Sequence, residues 1–172
     1  MFPDDSTRYA IVSAAQTLRE RGFSGRWVNP SLYHLTVHFV GTFGAVPNGM
    51  VRQAAAAASR VRVPPFDLEL DAIGSFGNRE VPVWLGCRTA PSGLAALHRR
   101  LLDELRLEGI LPHDDKPLIP HVTLFRCGRP VASTPVPPVH WRVHQFDLID
   151  SWLTPRLEYV CLGRWPLLDA AC

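Results

Sequence analysis

A short pattern occurs twice in this chain, and the repetition limits what the chain can fold into more than any other feature. Tyr33-His34-Leu35-Thr36-Val37-His38-Phe39 returns as Pro120-His121-Val122-Thr123-Leu124-Phe125-Arg126, with Gly41 close behind the first copy and Gly128 behind the second. β-Branched and aromatic residues make both read as strands. Side chains alternate along a strand, so His34 and Thr36 share one face, as do His121 and Thr123, while Leu35, Val37, Val122 and Leu124 face the other way. A shift of 87 positions also lays Leu18 on Leu105, Arg19 on Arg106, Gly22 on Gly109 and Pro30 on Pro117. Two structurally equivalent halves follow, each a helix, a glycine stop, a connection and a His-x-Thr strand.

Around this repeat the remaining elements fall into place. Asp4-Asp5-Ser6 offers N-cap chemistry to a helix reaching about Arg21, with Ile11, Ala14, Ala15 and Leu18 on its apolar face. Pro47-Asn48-Gly49 opens a second, alanine-rich helix to about Arg60. Phe66, Leu68 and Leu70 alternate as a strand, as do Val81, Val83, Leu85 and Cys87, with Gly74–Glu80 as the hairpin loop between them. Ser92 is the expected cap of a third helix carrying Leu94, Leu97, Leu101 and Leu105, which Gly109 ends. The proline-rich Pro130–Pro138 reads as a linker, since proline is excluded from strand interiors. Strands over about Val139–Trp152 and Tyr159–Pro166, joined at Thr154-Pro155, close the chain. The sum is an α+β fold with mostly antiparallel sheets. By the repeat a strand should precede the first helix; it is missing, very short or lost from the start of the chain, and an exposed sheet edge is expected there.

At 172 residues the chain suits one domain, residues 1–172, built as two interleaved lobes sharing a core. A formal net charge of +2 is too small for a dedicated nucleic-acid coat. Cys87, Cys127, Cys161 and Cys172 are widely spaced without a Cys-x-x-Cys pair, and no secretory segment is evident, which reads as a cytoplasmic protein. No apolar run approaches the ~20 residues a membrane span needs.

Two imidazoles in one cleft divide acid and base between them, because histidine titrates nearest neutrality. One protonates a leaving oxygen while the other activates water, each contributing roughly 10²–10⁴-fold. Threonine hydroxyls and a cation suit the nonbridging oxygens of a phosphate. Neither a carboxylate pair nor a metal-ligand cluster is called for, and the chemistry reads as phosphodiester cleavage without a cofactor.

These residues resemble the two-histidine (2H) phosphoesterase superfamily, and within it the bacterial RNA 2′,3′-cyclic phosphodiesterases, also called 2′-5′ RNA ligases. The resemblance includes Trp27 and His34 to Gly41, Val83-Trp84-Leu85-Gly86, Pro120 to Arg126, and Ser151, Tyr159 and Trp165-Pro166-Leu167. It implies a bilobal fold of two pseudo-symmetric halves whose antiparallel sheets face a central cleft, with helices packed outside. It implies hydrolysis of a 2′,3′-cyclic phosphate at an RNA 3′ end, or on a small nucleotide, to a 2′-phosphate without metal, by a monomer. On the family's pattern His34 would donate the proton and His121 accept it, with Thr36, Thr123 and Arg126 holding the phosphate. The alternatives are a ligase, a phosphodiesterase acting on other cyclic or 2′-5′ nucleotides, and a non-catalytic nucleotide-binding module.

Other residues have quieter readings. Ideal alternation puts Arg126 opposite His121, so it reaches the cleft only if the strand twists or ends there; it stands between a phosphate ligand and a rim charge. His38 shares the face of His34 but repeats as Phe125. Tyr33, Phe39 and Trp84 read as core, and Phe76, in the hairpin loop, is a candidate for holding a terminal base. His113-Asp114-Asp115 reads as a solvated loop, and His140 and His144 as solvent-facing.

Overall fold

The structure, a computed structural model, describes residues 1–77, 81–112, 118–152 and 158–168. Among the described residues are three α-helices, α1 (Asp5–Glu20), α2 (Asn48–Arg60) and α3 (Ser92–Leu107). The same described residues form seven strands, β1 (Arg26–Trp27), β2 (Phe66–Ser75), β3 (Val81–Gly86), β4 (His121–Cys127), β5 (Thr134–Val143), β6 (Gln145–Trp152) and β7 (Glu158–Pro166). The strands form a five-stranded antiparallel sheet in the order β1-β4-β3-β2-β5 and a two-stranded sheet of β6 and β7. The α+β class with antiparallel sheets is as the pattern predicts.

The repeat is visible where helices α1 and α3 stop. Asp4 begins α1 by accepting the Thr7 N–H at 2.7 Å. At its other end Gly22 (φ 87°) turns left-handed, its N–H bonding the Arg19 carbonyl while Phe23 N–H reaches back to Leu18. Helix α3 ends identically: Gly109 (φ 77°) donates to Arg106, and Ile110 to Leu105. These paired bonds are a Schellman motif, which only a residue free to take positive φ closes without strain. Ser92 is not the cap of α3; Pro91 is, and Ser92 is the first helical residue.

One continuous core joins the halves. Ile11, Ala15 and Leu18 of α1, Leu68 and Leu70 of β2, Val83 and Leu85 of β3, Leu94 and Leu97 of α3, and Val122, Leu124 and Phe125 of β4 are all buried in it. Helix α2 packs on α3 and β7. Ala54 and Ala57 meet Leu105 and Ile110 there, and Arg60 is paired with Glu104 and Glu108 at 2.6 and 2.7 Å.

The first His-x-Thr segment is not a strand. A 3₁₀ turn over Pro30–Leu32 leads into extended backbone at Tyr33 (φ −63°, ψ 125°). Alternation survives, with Tyr33, Leu35 and Val37 buried between the outward His34 and Thr36. The ladder does not: Leu35 exchanges both backbone hydrogen bonds with Met1, at 2.9 and 3.0 Å, and this single bridge is too short to make a strand. The proline-rich segment corrects in the opposite direction. Pro135, Pro137 and Pro138 lie within β5, whose ladder pairs Ala72 with Pro135 and Leu70 with Val139. Strand β5 is the sheet's outer edge, the place where a residue without an N–H is tolerated. The single late strand over Val139–Trp152 is instead two, β5 and β6, broken at His144, and they belong to different sheets. The Thr154-Pro155 joint and His113-Asp114-Asp115 lie outside the described residues. No described helix is long and apolar enough to cross a membrane.

Candidate active site

The two imidazoles are held in the same way. His34 Nδ1 bonds the Leu32 carbonyl at 2.8 Å, and His121 Nδ1 bonds the Ile119 carbonyl at 2.6 Å, in each case two residues back. Leu32 and Ile119 are themselves 87 positions apart, so the repeat extends to the anchoring atoms. A carbonyl can only accept, so each Nδ1 carries the proton and each Nε2 is left to take or give one. Burial pulls both imidazole pKa values below the ordinary histidine value, with the carbonyl bonds opposing it. The rings are near enough that charge on His121 also disfavours charge on His34.

Each imidazole has an aromatic wall. Tyr159 stands edge-on to His34 at 5.1 Å between centroids, with Phe2 at 6.0 Å. Phe76 stands edge-on to His121 at 4.8 Å, and Trp84 lies at 6.4 Å. Trp84 is half-buried beside the site instead of being core. Phe2 carries no sequence signal, and Tyr159 only its place among the family matches. Beside His34 a cavity of about 590 Å³ shares Phe2, Leu32 and Tyr159 with it and is also lined by Asn29, Ser31 and Arg164.

Thr36 is exposed and Thr123 half-buried, each two residues from its histidine. Residues directly opposed across an antiparallel ladder share a face. Gly86 faces His121, Trp84 faces Thr123 and Pro82 faces Arg126. Between the last two pairs the register slips, because Val83 pairs with Phe125 and Leu124 has no opposite number on β3. This β-bulge reverses the phase of β4: Leu124 and Phe125 are both buried, and Arg126 emerges on the face of His121 and Thr123. Strict alternation placed Arg126 on the wrong side. Burial raises the pKa of Tyr159, and the positive charge of Arg126 counters it, so Arg126 acts across the space beside His34.

His38 does not join the site. Its Nε2 bonds the His98 carbonyl at 2.8 Å and its ring stacks on His98 at 4.1 Å, against α3. Tyr33 is core, whereas Phe39 is 48% exposed. His140 and His144 face solvent. Among the described residues no group of three or more His, Cys, Asp or Glu could hold a metal ion.

Comparison with known proteins agrees with this geometry. The family model described as the 2′-5′ RNA ligase superfamily matches residues 3–152. The RNA 2′,3′-cyclic phosphodiesterase of Escherichia coli is 33% identical over 147 residues, covering 84% of this chain and 81% of the relative. That of Thermus thermophilus is 32% identical over 170 residues, covering 91% and 81%. The crystal structure of E. coli LigT complexed with 3′-AMP superposes with a TM-score of 0.77 at 30% identity, covering 96% of this chain and 93% of that one. With its fold, its duplicated His-x-Thr and its matched length all in agreement, the chain belongs to the 2′-5′ RNA ligase superfamily, the two-histidine phosphoesterases.

Proposed function

We propose that the protein hydrolyses 2′,3′-cyclic phosphates, at RNA 3′ ends or on small nucleotides, to 2′-phosphates. The observation that carries this reading is the mirrored pair of imidazoles, each fixed through Nδ1 to a carbonyl and within electrostatic reach of the other. On the family's pattern, neutral His121 takes a proton from water at Nε2 as the oxygen attacks phosphorus. His34, as imidazolium, gives its Nε2 proton to the departing 3′ oxygen. One bond to phosphorus forms and one breaks, and the proton balance closes through the two rings. Thr36, Thr123 and Arg126 hold the nonbridging oxygens, where charge accumulates. Residues 1–172 act as one domain whose interleaved halves each supply one His-x-Thr.

The test is incubation with a nucleoside 2′,3′-cyclic phosphate in EDTA, with the product identified. Turnover to the 2′-phosphate supports the reading; binding without turnover would leave a nucleotide-binding module. His34→Ala and His121→Ala should each lower kcat by roughly 10²–10⁴-fold while the far-ultraviolet circular dichroism stays unchanged. Near-normal rates in both variants would refute the assignment.

A further inference from the structure

Resting on that reading, we propose that the indole of Trp84 is the floor on which the base of the terminal nucleoside stacks, with Phe76 as the wall beside it. The site then grips a nucleotide by its base as well as its phosphate. In the ladders Trp84 stands opposite Thr123 on β4 and opposite Gly74 on β2, so its side chain rises on the face that carries His121 and Thr123. Two glycines leave room there for the ring to lie down. A Cβ at Gly74 would come within 2.5 Å of both Cζ2 and Cη2 and 3.1 Å of Cε2, and one at Gly86 within 3.1 and 3.2 Å of Cε3 and Cζ3. Three adjacent ring atoms approach Gly74 together, as the face of a ring does and its rim does not. The indole is therefore spread over bare backbone, with its other face turned to the cleft.

Packing alone does not account for this pose. Trp84 Nε1 is buried with no hydrogen-bond partner among the described residues, and an unpaired buried donor costs stability. The ring gives up that bond to lie flat, and gains no full burial in return: Val83 and Leu85 beside it on β3 are completely buried, whereas Trp84 is only half-buried. What remains open is an aromatic face, and Phe76 bounds it. The Phe76 ring lies 5.7 Å from the indole and edge-on to His121 at 4.8 Å, while its backbone N–H donates to the Pro82 carbonyl at 3.3 Å. The indole is 6.4 Å from the His121 ring, a gap that the ribose of one nucleotide spans. A phosphate at that imidazole thus carries its own base to the indole. Every base has a π-face, so such a floor accepts all four and holds the larger purines more tightly.

Calorimetric titration with adenosine 2′-phosphate, uridine 2′-phosphate and ribose 2-phosphate reads this directly. Adenosine 2′-phosphate should bind about tenfold more tightly than the baseless ribose 2-phosphate, as expected for one stacked base, with uridine 2′-phosphate between them. Trp84→Leu should bring the ratio of the adenosine and ribose ligands toward one while leaving the affinity for ribose 2-phosphate unchanged. Trp84→Phe should keep part of the ratio. A merely structural role for the indole would instead weaken both ligands alike. Equal affinities for the adenosine and ribose ligands in the unmodified protein, a ratio that survives Trp84→Leu, or an equal loss for both ligands in that variant would overturn the proposal. Turnover of a nucleoside 2′,3′-cyclic phosphate is measured beside it: its absence counts against the hydrolase reading alone, since the affinity ratio is read without catalysis.

Discussion

Arg126→Gln is the substitution that most directly tests how the site is assembled. The bulge at Leu124 puts the guanidinium on the cleft face, where strict alternation would have turned it away. A unit charge 4 Å from another contributes about 4 kcal/mol at an effective dielectric of 20. Arg126 is only half-buried, so solvent screens part of that. What remains falls near the lower end of what one preorganised donor contributes, about 2.7 kcal/mol, or roughly a hundredfold in kcat. The assay is steady-state hydrolysis of a nucleoside 2′,3′-cyclic phosphate by Arg126→Gln and Arg126→Lys, with melting temperatures recorded alongside. Glutamine should lose about a hundredfold in kcat with little change in melting temperature, and lysine should recover part of it. A glutamine variant within threefold of the parent would show that Arg126 does not face the reacting phosphate, and the phase argument would fail with it.

Three further outcomes follow from the same structure. Because burial lowers both imidazole pKa values, the bell in kcat/KM should have its alkaline limb below the ordinary histidine value near 6.5, and the bell in kcat should move upward when bound phosphate favours the charged ring; a kcat/KM still climbing above pH 7 would contradict this. The same two depressions give stability that is complete above about pH 6.5 and is lost as pH falls through the lower folded-state values, so denaturant midpoints should fall between pH 7 and 5, and less so in a His34→Ala/His121→Ala double variant. A Cβ at Gly74 would lie 2.5 Å from the Trp84 ring, so Gly74→Ala should cost about 1–3 kcal/mol and change Trp84 fluorescence, whereas unaltered emission and stability would mean the indole does not lie across that strand.

Helices were the most legible part of this chain in its sequence, because their signals are local. The Asp4 cap and the paired stops at Gly22 and Gly109 need only a few neighbouring residues to specify them. The two histidines and their threonines were legible because duplication makes a weak motif informative. What escaped depends on pairing. Nothing in Leu124-Phe125 announces a bulge, since the slip is defined by Val83 and Trp84 some forty residues earlier. Strand propensity at Tyr33–Phe39 was real, but a ladder needs a partner and Met1 supplies one bridge. The prolines of β5 were misjudged because edge position belongs to the sheet, not to the segment. Phe2 reaches His34 only through tertiary packing, and no periodicity marks it.

The proline-bearing strand also governs how this sheet meets its surroundings. An outer strand normally offers a row of unmet amides to any other extended chain, and Pro135, Pro137 and Pro138 put three residues without an N–H into β5, where the pairing with β2 is also irregular. The opposite border is only two residues long. The platform that carries His121 is thus closed to lateral growth on both sides, a safeguard against fibril-like stacking in a protein that must keep one broad face open to solvent.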